Sequence, residues 1–433
     1  MLAHQVEFAP DRDLEVFASI PAAPAVFLLA GEDATAEPYA TKTANLRRRL
    51  QRLLGAPEVA EDGTLRPSKR LNLRDRVRHI EYTCTGSDFE SGFLLYQLFR
   101  STFPETYARR LRLRPAPLVK LHLENEFPRA SVTTRMSRRG RSVYYGPFWS
   151  RVAAEEFMND ALDFFKMRRC VEDLHPDPQF PGCIYSEMKM CLAPCYRGCT
   201  VEEHSAEVGR VQQFFESAGE SLRRELEAAR EAASAGLEFE SAAALHARLD
   251  KLAPVMAQAP EIVRRIDRLN GVLVQPSAER GAVALFRVDA GCLAGPIAFA
   301  IQPPDRTRSH SMESRLEQAL SDVPAAKPAS ALEAMEHLAL LKRWYYRGRK
   351  TGELFLAGDR GEFPMRRLVR GVGRVYRGES DPEAAAANQQ LEVGQPEIGP
   401  SEIAPSESSQ PEISSGNSTE HRVEHPGEHP IDP

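Results

Sequence analysis

Four cysteines fall within seventeen residues, "CIYSEMKMCLAPCYRGC" (183–199), and a fifth, Cys170, lies just upstream. Cys84 and Cys292 complete the set of seven. In a large cytosolic chain such grouping argues against a disulfide framework and for metal binding. Cys170, Cys183, Cys191 and Cys195 are separated by 12, 7 and 3 residues. Four thiolates satisfy either a tetrahedral zinc ion or the four irons of a cubane cluster, and the residues alone leave both open. They also leave open whether Cys199 replaces Cys195. Pro194 fixes a turn between the last two sulfurs and removes a competing amide. Lys166, Arg168, Arg169, Lys189 and Arg197 stand ready to offset thiolate charge. The plain alternative is a set of free thiols with no shared role.

The rest of the chain bounds what surrounds these thiols. Its 433 residues suffice for two to four domains. No apolar run approaches the roughly 20 residues of a membrane helix, and "MLAHQVEFAPDRDLEVF" lacks the basic start and apolar middle of a secretory signal. The expectation is a cytoplasmic protein without a membrane partner. The net charge of −5 hides two unlike parts: residues 379–433 carry twelve acidic residues and one Arg, which leaves the first 378 residues at +6. A basic body permits nucleic acid as a partner. The Pro/Ser/Glu-rich tail cannot bury enough apolar surface to fold and is expected to be disordered.

Hydrophobic patterning predicts an α+β multidomain chain. "APAVFLL" and "HIEYTCT" read as strands. "TKTANLRRRLQRLLG" reads as a helix with Leu46, Leu50, Leu53 and Leu54 on one face. Residues 87–103 form a helix with Ser87 as cap and Glu90 three residues on. "LVKLHLE" is a strand, and 129–146 reads as a hairpin around Arg139-Gly140. A helix over 151–168 leads to the cysteines. Two helices around Gly236 make a hairpin over 201–258, the first running unbroken from Ala206. Strands over 262–302 turn at Gly281 and Gly291, and a helix spans 328–347. "RRLVRGVGRVYRG" (366–378) reads as a basic loop, which with Trp344, Tyr345 and Tyr346 offers phosphate and stacking contacts.

"MRRC…GCIYSEMKMCLAPC" resembles the cysteine region of UvrC, the C-subunit family of the bacterial UvrABC excinuclease. "FPRASVTTRMSRRGRSVYYGPF" resembles the segment preceding it, and "LEFESAAALHARLDKL" resembles the family's UVR motif. The likeness covers about residues 12–260. With the patterning of the remaining residues it gives six parts: a GIY-YIG-like domain with a small mixed sheet (12–112), linker strands and helix (113–165), a cysteine module (166–200), a UVR-like hairpin (201–260), a β-rich connector-like domain plus helix (262–378) and the acidic tail (379–433). It further implies a 4Fe–4S cluster on Cys170, Cys183, Cys191 and Cys195, with zinc as the alternative. DNA is the implied partner. The B subunit of the excinuclease is implied for the hairpin through Phe239, Glu240, Ala243 and Leu249. His246-Ala247 stand where the family has an Arg-Asp pair.

The same resemblance tests the first domain residue by residue. Tyr39, Lys42 and Arg49 keep the family's catalytic types. Phe27 and Leu53 stand where the family has tyrosines, Thr41 replaces a glycine, and Leu95 stands where the carboxylate holds a divalent ion. A leucine cannot coordinate Mg²⁺ or Mn²⁺, and Glu90 lies about 140° round the helix from Leu95. The expectation is a domain that keeps its fold and has lost its nuclease. Arg47, Arg48, Arg52, Lys69, Arg70 and Arg74 would then serve phosphate contact, which tolerates loss of a metal. The family's ribonuclease-H-like nuclease has no counterpart signature here. The chain therefore reads as a DNA-binding protein of nucleotide excision repair. The alternatives are a single-incision GIY-YIG endonuclease and a metal-centred protein-interaction scaffold.

Overall fold

The computed structural model describes residues 2–33, 35–57, 71–137, 139–302, 310–323, 328–358 and 360–379. Lys69, Arg70 and nearly all of the acidic tail lie outside them. The described residues form a mixed α+β structure with three four-stranded antiparallel sheets.

The first sheet takes β1 (His4–Glu7), β2 (Ala25–Ala30), β3 (Tyr39–Thr43) and β4 (His79–Cys84) in the order β1-β4-β2-β3. Helices α1 (Asp13–Ser19), α2 (Leu46–Leu54), α3 (Asp88–Thr102) and α4 (Tyr107–Arg110) accompany it. α2 starts where the Asn45 side chain accepts the amide of Arg48, and it buries its predicted Leu46/Leu50/Leu53/Leu54 stripe against Phe27, Ile80 and Tyr82. α3 starts where Ser87 accepts the amide of Glu90 and Glu90 accepts that of Gly86 at 2.7 Å. β3 was not legible from periodicity: "YATKT" is an edge strand, half-buried throughout, without an alternating apolar face.

The second sheet uses β5 (Leu118–Leu121), β6 (Ala130–Thr133) and β7 (Val143–Gly146). The expected hairpin around Arg139-Gly140 does not form. β6 and β7 flank β5 on opposite sides, with Val119 opposite Val132 in one pair and Tyr145 in the other. Leu118, Val119 and Leu121 are all buried, so β5 belongs in the middle of its sheet. α5 (Arg151–Leu162) then leads into the cysteine module, whose one α-helix is the four-residue α6 (Ile184–Glu187). Three helices follow: α7 (Val201–Glu216), α8 (Glu220–Ala235) and α9 (Phe239–Ala257). The predicted unbroken first helix divides at Gly219, whose φ of +91° and whose missing Cβ let Met256 approach to 2.5 Å of where that atom would sit.

β8 (Arg264–Arg265) closes the second sheet against β7. The third sheet, ordered β11-β10-β9-β12, combines β9 (Gly271–Pro276), β10 (Ala282–Asp289), β11 (Cys292–Ala300) and β12 (Glu353–Leu356), with turns at Gly281 and Gly291 as expected. Helices α10 (Met312–Ser321), α11 (Ala331–Tyr345) and α12 (Met365–Arg377) pack around it. α12 replaces the expected basic loop. Leu368, Val372 and Val375 form a buried stripe, and Gly371 sits under Phe355, where a Cβ would come within 2.0 Å of the ring. That glycine serves close packing and leaves the helix unbroken. Trp344 is buried and Tyr345 and Tyr346 are half-buried: Trp344 Nε1 donates to Thr351 O and Tyr346 OH to Pro147 O.

The second and third sheets share one core with α3, while the first sheet has a core of its own. Phe89 and Phe93 of α3 meet Phe286 of β10 edge-on, at 5.0 and 5.8 Å, and Tyr96 OH donates to Glu336 of α11 at 2.8 Å. The helix expected to carry the lost metal ligand is thus also a wall of the C-terminal sheet.

Candidate functional site

The cysteine module is mostly loop, and its loop is tightly tied. Leu192 N donates to Lys166 O at 3.0 Å, and Asp177 N donates to Cys195 O at 2.8 Å. Lys189, Ala193 and Arg197, which bracket Cys191 and Cys195, all hold positive φ between 55° and 59°. Such backbone costs about 1–3 kcal/mol per non-glycine residue and recurs where a chain wraps a ligand. Cys191 and Cys195 each lie within electrostatic reach of Cys170 and Cys183. Cys199 feels only Glu203 and Cys195.

Two of these sulfurs accept N–H bonds. Ala193 N donates to Cys191 Sγ at 3.3 Å, and Arg168 donates to Cys170 Sγ at 3.3 Å. Burial pushes the Cys191 thiol up to about 11, with the other three cysteines adding to it. A metal must therefore displace that proton on binding. Among the described residues no three His, Cys, Asp or Glu side chains are gathered tightly enough to hold an ion as they stand. Four cysteines, two N–H···S bonds and the buried guanidinium of Arg168 lie in this module. His204 is fully buried beside the module, edge-on to Phe127, with neither ring nitrogen bonded. Burial first, and Arg168 second, push its imidazole down to about 4.

In the first sheet the residues picked from the sequence divide between two faces. Tyr39 lies opposite Leu29, on the α2 side, and Arg49 of α2 donates to Tyr39 OH at 2.9 Å. Phe27 is buried on that side, its ring 6.2 Å from Tyr39, as is Leu53. Lys42 lies opposite Val26, on the α3 side, and its Nζ reaches Asp88 at 2.5 Å. Leu95 is packed there with Val26, Phe99 and Phe103. The other oxygen of Asp88 takes Arg347, from beyond α11. Together the two cations hold the Asp88 carboxyl below its usual range against the opposing effect of burial. Glu90 is spent on capping α3. Arg347 was not legible as part of this site, because nothing in its local sequence points 259 residues back.

The predicted basic residues behave unlike one another. Arg48 and Arg52 are exposed. Arg47 donates to Ile20 O and Ala18 O, and Arg74 to Asp13, Leu54 O and Pro10 O, so both tie α2 to its surroundings. On α9, Phe239 is 69 % exposed, Glu240 and Ala243 are exposed, and Leu249 leans onto the core.

A family model described as the UvrC/Cho excinuclease middle domain matches residues 117–214, which span β5 to α7 and the whole cysteine module. The chain is UvrC-like. UvrABC system protein C of Carboxydothermus hydrogenoformans is 29 % identical over 278 residues, or 64 % of this chain and 44 % of the relative. The proteins of the same name from Rickettsia bellii and Rickettsia rickettsii (strain Sheila Smith) are each 26 % identical, over 59 % and 66 % of this chain and 39 % and 44 % of the relatives. The UvrC-like chain thus spans less than half the length of these relatives. No solved structure matches it. No helix among its described residues is long and apolar enough to cross a membrane.

Proposed function

We propose that this chain binds DNA in nucleotide excision repair, with a nuclease-like first unit that no longer cuts. The observation that carries the reading is Leu95, at the family's carboxylate position, packed among Val26, Phe99 and Phe103. A divalent ion there would meet hydrocarbon, and phosphate hydrolysis would lose the charge that stabilises its leaving oxygen. Arg48 and Arg52 of α2 remain for backbone phosphates. In this reading Cys170, Cys183, Cys191 and Cys195 hold a 4Fe–4S cluster, which supplies an anionic, redox-capable centre when bound. Zinc is the alternative. The exposed Phe239 and Glu240 end of α9 would meet the B subunit of the excinuclease.

One observation favours a second reading, a single-cut endonuclease. Asp88 lies seven residues before Leu95, only about 20° away around α3, and could take the metal if Lys42 and Arg347 released it. Purified protein with supercoiled DNA and Mg²⁺ or Mn²⁺ separates the two. The first reading expects salt-sensitive binding and no nicked circles. Nicking that disappears with Arg49→Ala would establish the second.

A further inference from the structure

α12 carries five arginines, Arg366, Arg367, Arg370, Arg374 and Arg377, and no acidic residue in its 13 positions. At 3.6 residues per turn all five fall within an arc of about 100°, opposite the buried stripe of Leu368, Val372 and Val375. Two of them are matched. Arg374 pairs with Glu353 of β12 at 2.5 Å, and Arg377 meets both oxygens of Glu379 at 2.7 Å. Arg366, Arg367 and Arg370 are exposed, and among the described residues no carboxylate lies within ion-pair distance of any of them. Arg370 spends one N–H on the carbonyl of Arg366. Glu313, near the start of α10, lines a cleft with Arg366 and Arg370 without pairing with either. Like charges four residues apart weaken a helix, and Arg366, Arg370 and Arg374 set two such pairs in succession. An ordinary solvated surface intersperses the two signs; this arc has one.

We propose that the arginine face of α12 is a second DNA surface of this chain, on which Arg366, Arg367 and Arg370 hold backbone phosphates of a duplex. The proposal rests on the DNA-binding reading and adds to it a surface that belongs to the third sheet rather than to α2. The choice of partner follows from charge density. From Arg366 to Arg377 the face runs about 16 Å, at about 1.5 Å per residue. A duplex presents one charge about every 1.7 Å of its axis, so several phosphates fall along that length. The other anion at hand is the chain's own acidic tail. Its eleven Asp and Glu in residues 380–433 come about one to every five residues. Even extended at about 3.3 Å per residue, that segment brings only about one carboxylate to the same length. Arginine stands at all five positions, and its planar fork meets two phosphate oxygens at once. Phosphate contacts carry no sequence information, so this surface should bind any duplex alike.

The test is binding of a fluorescein-labelled duplex oligonucleotide to the full chain, read by anisotropy over a series of salt concentrations. Wild type is compared with Arg366→Gln, Arg367→Gln and Arg370→Gln combined, and with the same positions changed to Lys. A control combines Arg224→Gln, Arg248→Gln and Lys251→Gln, which removes equal charge from exposed positions of α8 and α9. The Gln form of α12 should bind about 10–100-fold more weakly at low salt. Its plot of log affinity against log salt should be shallower by about 2–3, since each phosphate contact contributes about 0.9. The Lys form should keep the wild-type slope and bind more weakly, because it keeps the charge and loses the fork. The α8–α9 control should match wild type. A control as weakened as the Gln form would mean that only net charge is felt, and the proposal is wrong. It is equally wrong if, in the DNA-free chain, Arg366, Arg367 and Arg370 are shielded from phenylglyoxal and duplex adds nothing; the acidic tail then occupies the face. Should the combined Gln form fail to fold, Arg370→Gln alone is read: a slope change of about 1 supports the proposal and none overturns it. A wild type that binds no duplex removes the DNA reading, and this proposal with it. Wild-type binding with no effect at α12 removes the proposal alone.

Discussion

Asp88 and Arg168 are charged groups in two regions with opposite arrangements. Asp88 has a cation on each oxygen, Lys42 on one and Arg347 on the other, and the carboxylate is half open to water. Arg168 is sealed from water and faces no carboxylate among the described residues. Around the first sheet the charge of Asp88 is thus matched from within. In the cysteine module the buried cation meets a sulfur and backbone carbonyls. Ion pairing at a surface tells little about function, because water would serve nearly as well. A buried charge without an opposite one is costly, so its few bonds matter more.

Removing a sulfur should have the largest effect. Cys191→Ser should reduce bound metal to near zero and make residues 166–200 susceptible to limited proteolysis, while Cys199→Ser should keep both metal and resistance. Elemental analysis beside a protease time course checks this. Loss of metal from Cys199→Ser with retention in Cys195→Ser would exchange the roles of those two residues.

An acid limb in stability should be next. His204 and His337 are both buried, and burial pushes each down to about 4. They are neutral in the fold, whereas in the unfolded chain they take up protons below about pH 6.5. Their contribution is complete above that pH and is lost as the pH falls toward 4, at most on the order of 2–3 kcal/mol each. Denaturant titrations at pH 7 and pH 5 should show the loss. His204→Phe, which also removes two unbonded nitrogens, should shrink it without weakening the protein at pH 7. An unchanged difference between the two pH values would remove His204 from the account.

The smallest effect belongs to the matched region. Asp88→Asn should cost less than about 1 kcal/mol, because the carboxylate and Arg347 are each more than half exposed. A loss of several kcal/mol by the same titration would mean that this ion pair is structural and that the contrast between the regions is weaker than drawn.

Sequence periodicity reached the elements whose cause is local. The Leu46/Leu50/Leu53/Leu54 stripe, the Ser87 cap and the turns at Gly281 and Gly291 each depend on residues a few positions apart. β3 escaped because an edge strand need not alternate. α12 escaped because its glycines read as loop, although Gly371 is there to admit Phe355. Tyr345 and Tyr346 carried no mark of burial, since an aromatic residue in sequence looks the same on a surface as in a core.

What the sequence determined by itself was chemistry: which side chains exist, that four cysteines stand close in the chain, and that position 95 is a leucine. No folding can give Leu95 an oxygen. What only the tertiary structure decided was which charges have partners. Arg168 and Arg169 are adjacent and identical in type, yet one meets Asp163 and the other only a sulfur and two carbonyls. Arg347 reaches Asp88 across 259 positions of chain. The strength of a charge's interactions depends on distance and on exclusion of water, and both are set by packing between segments far apart in sequence.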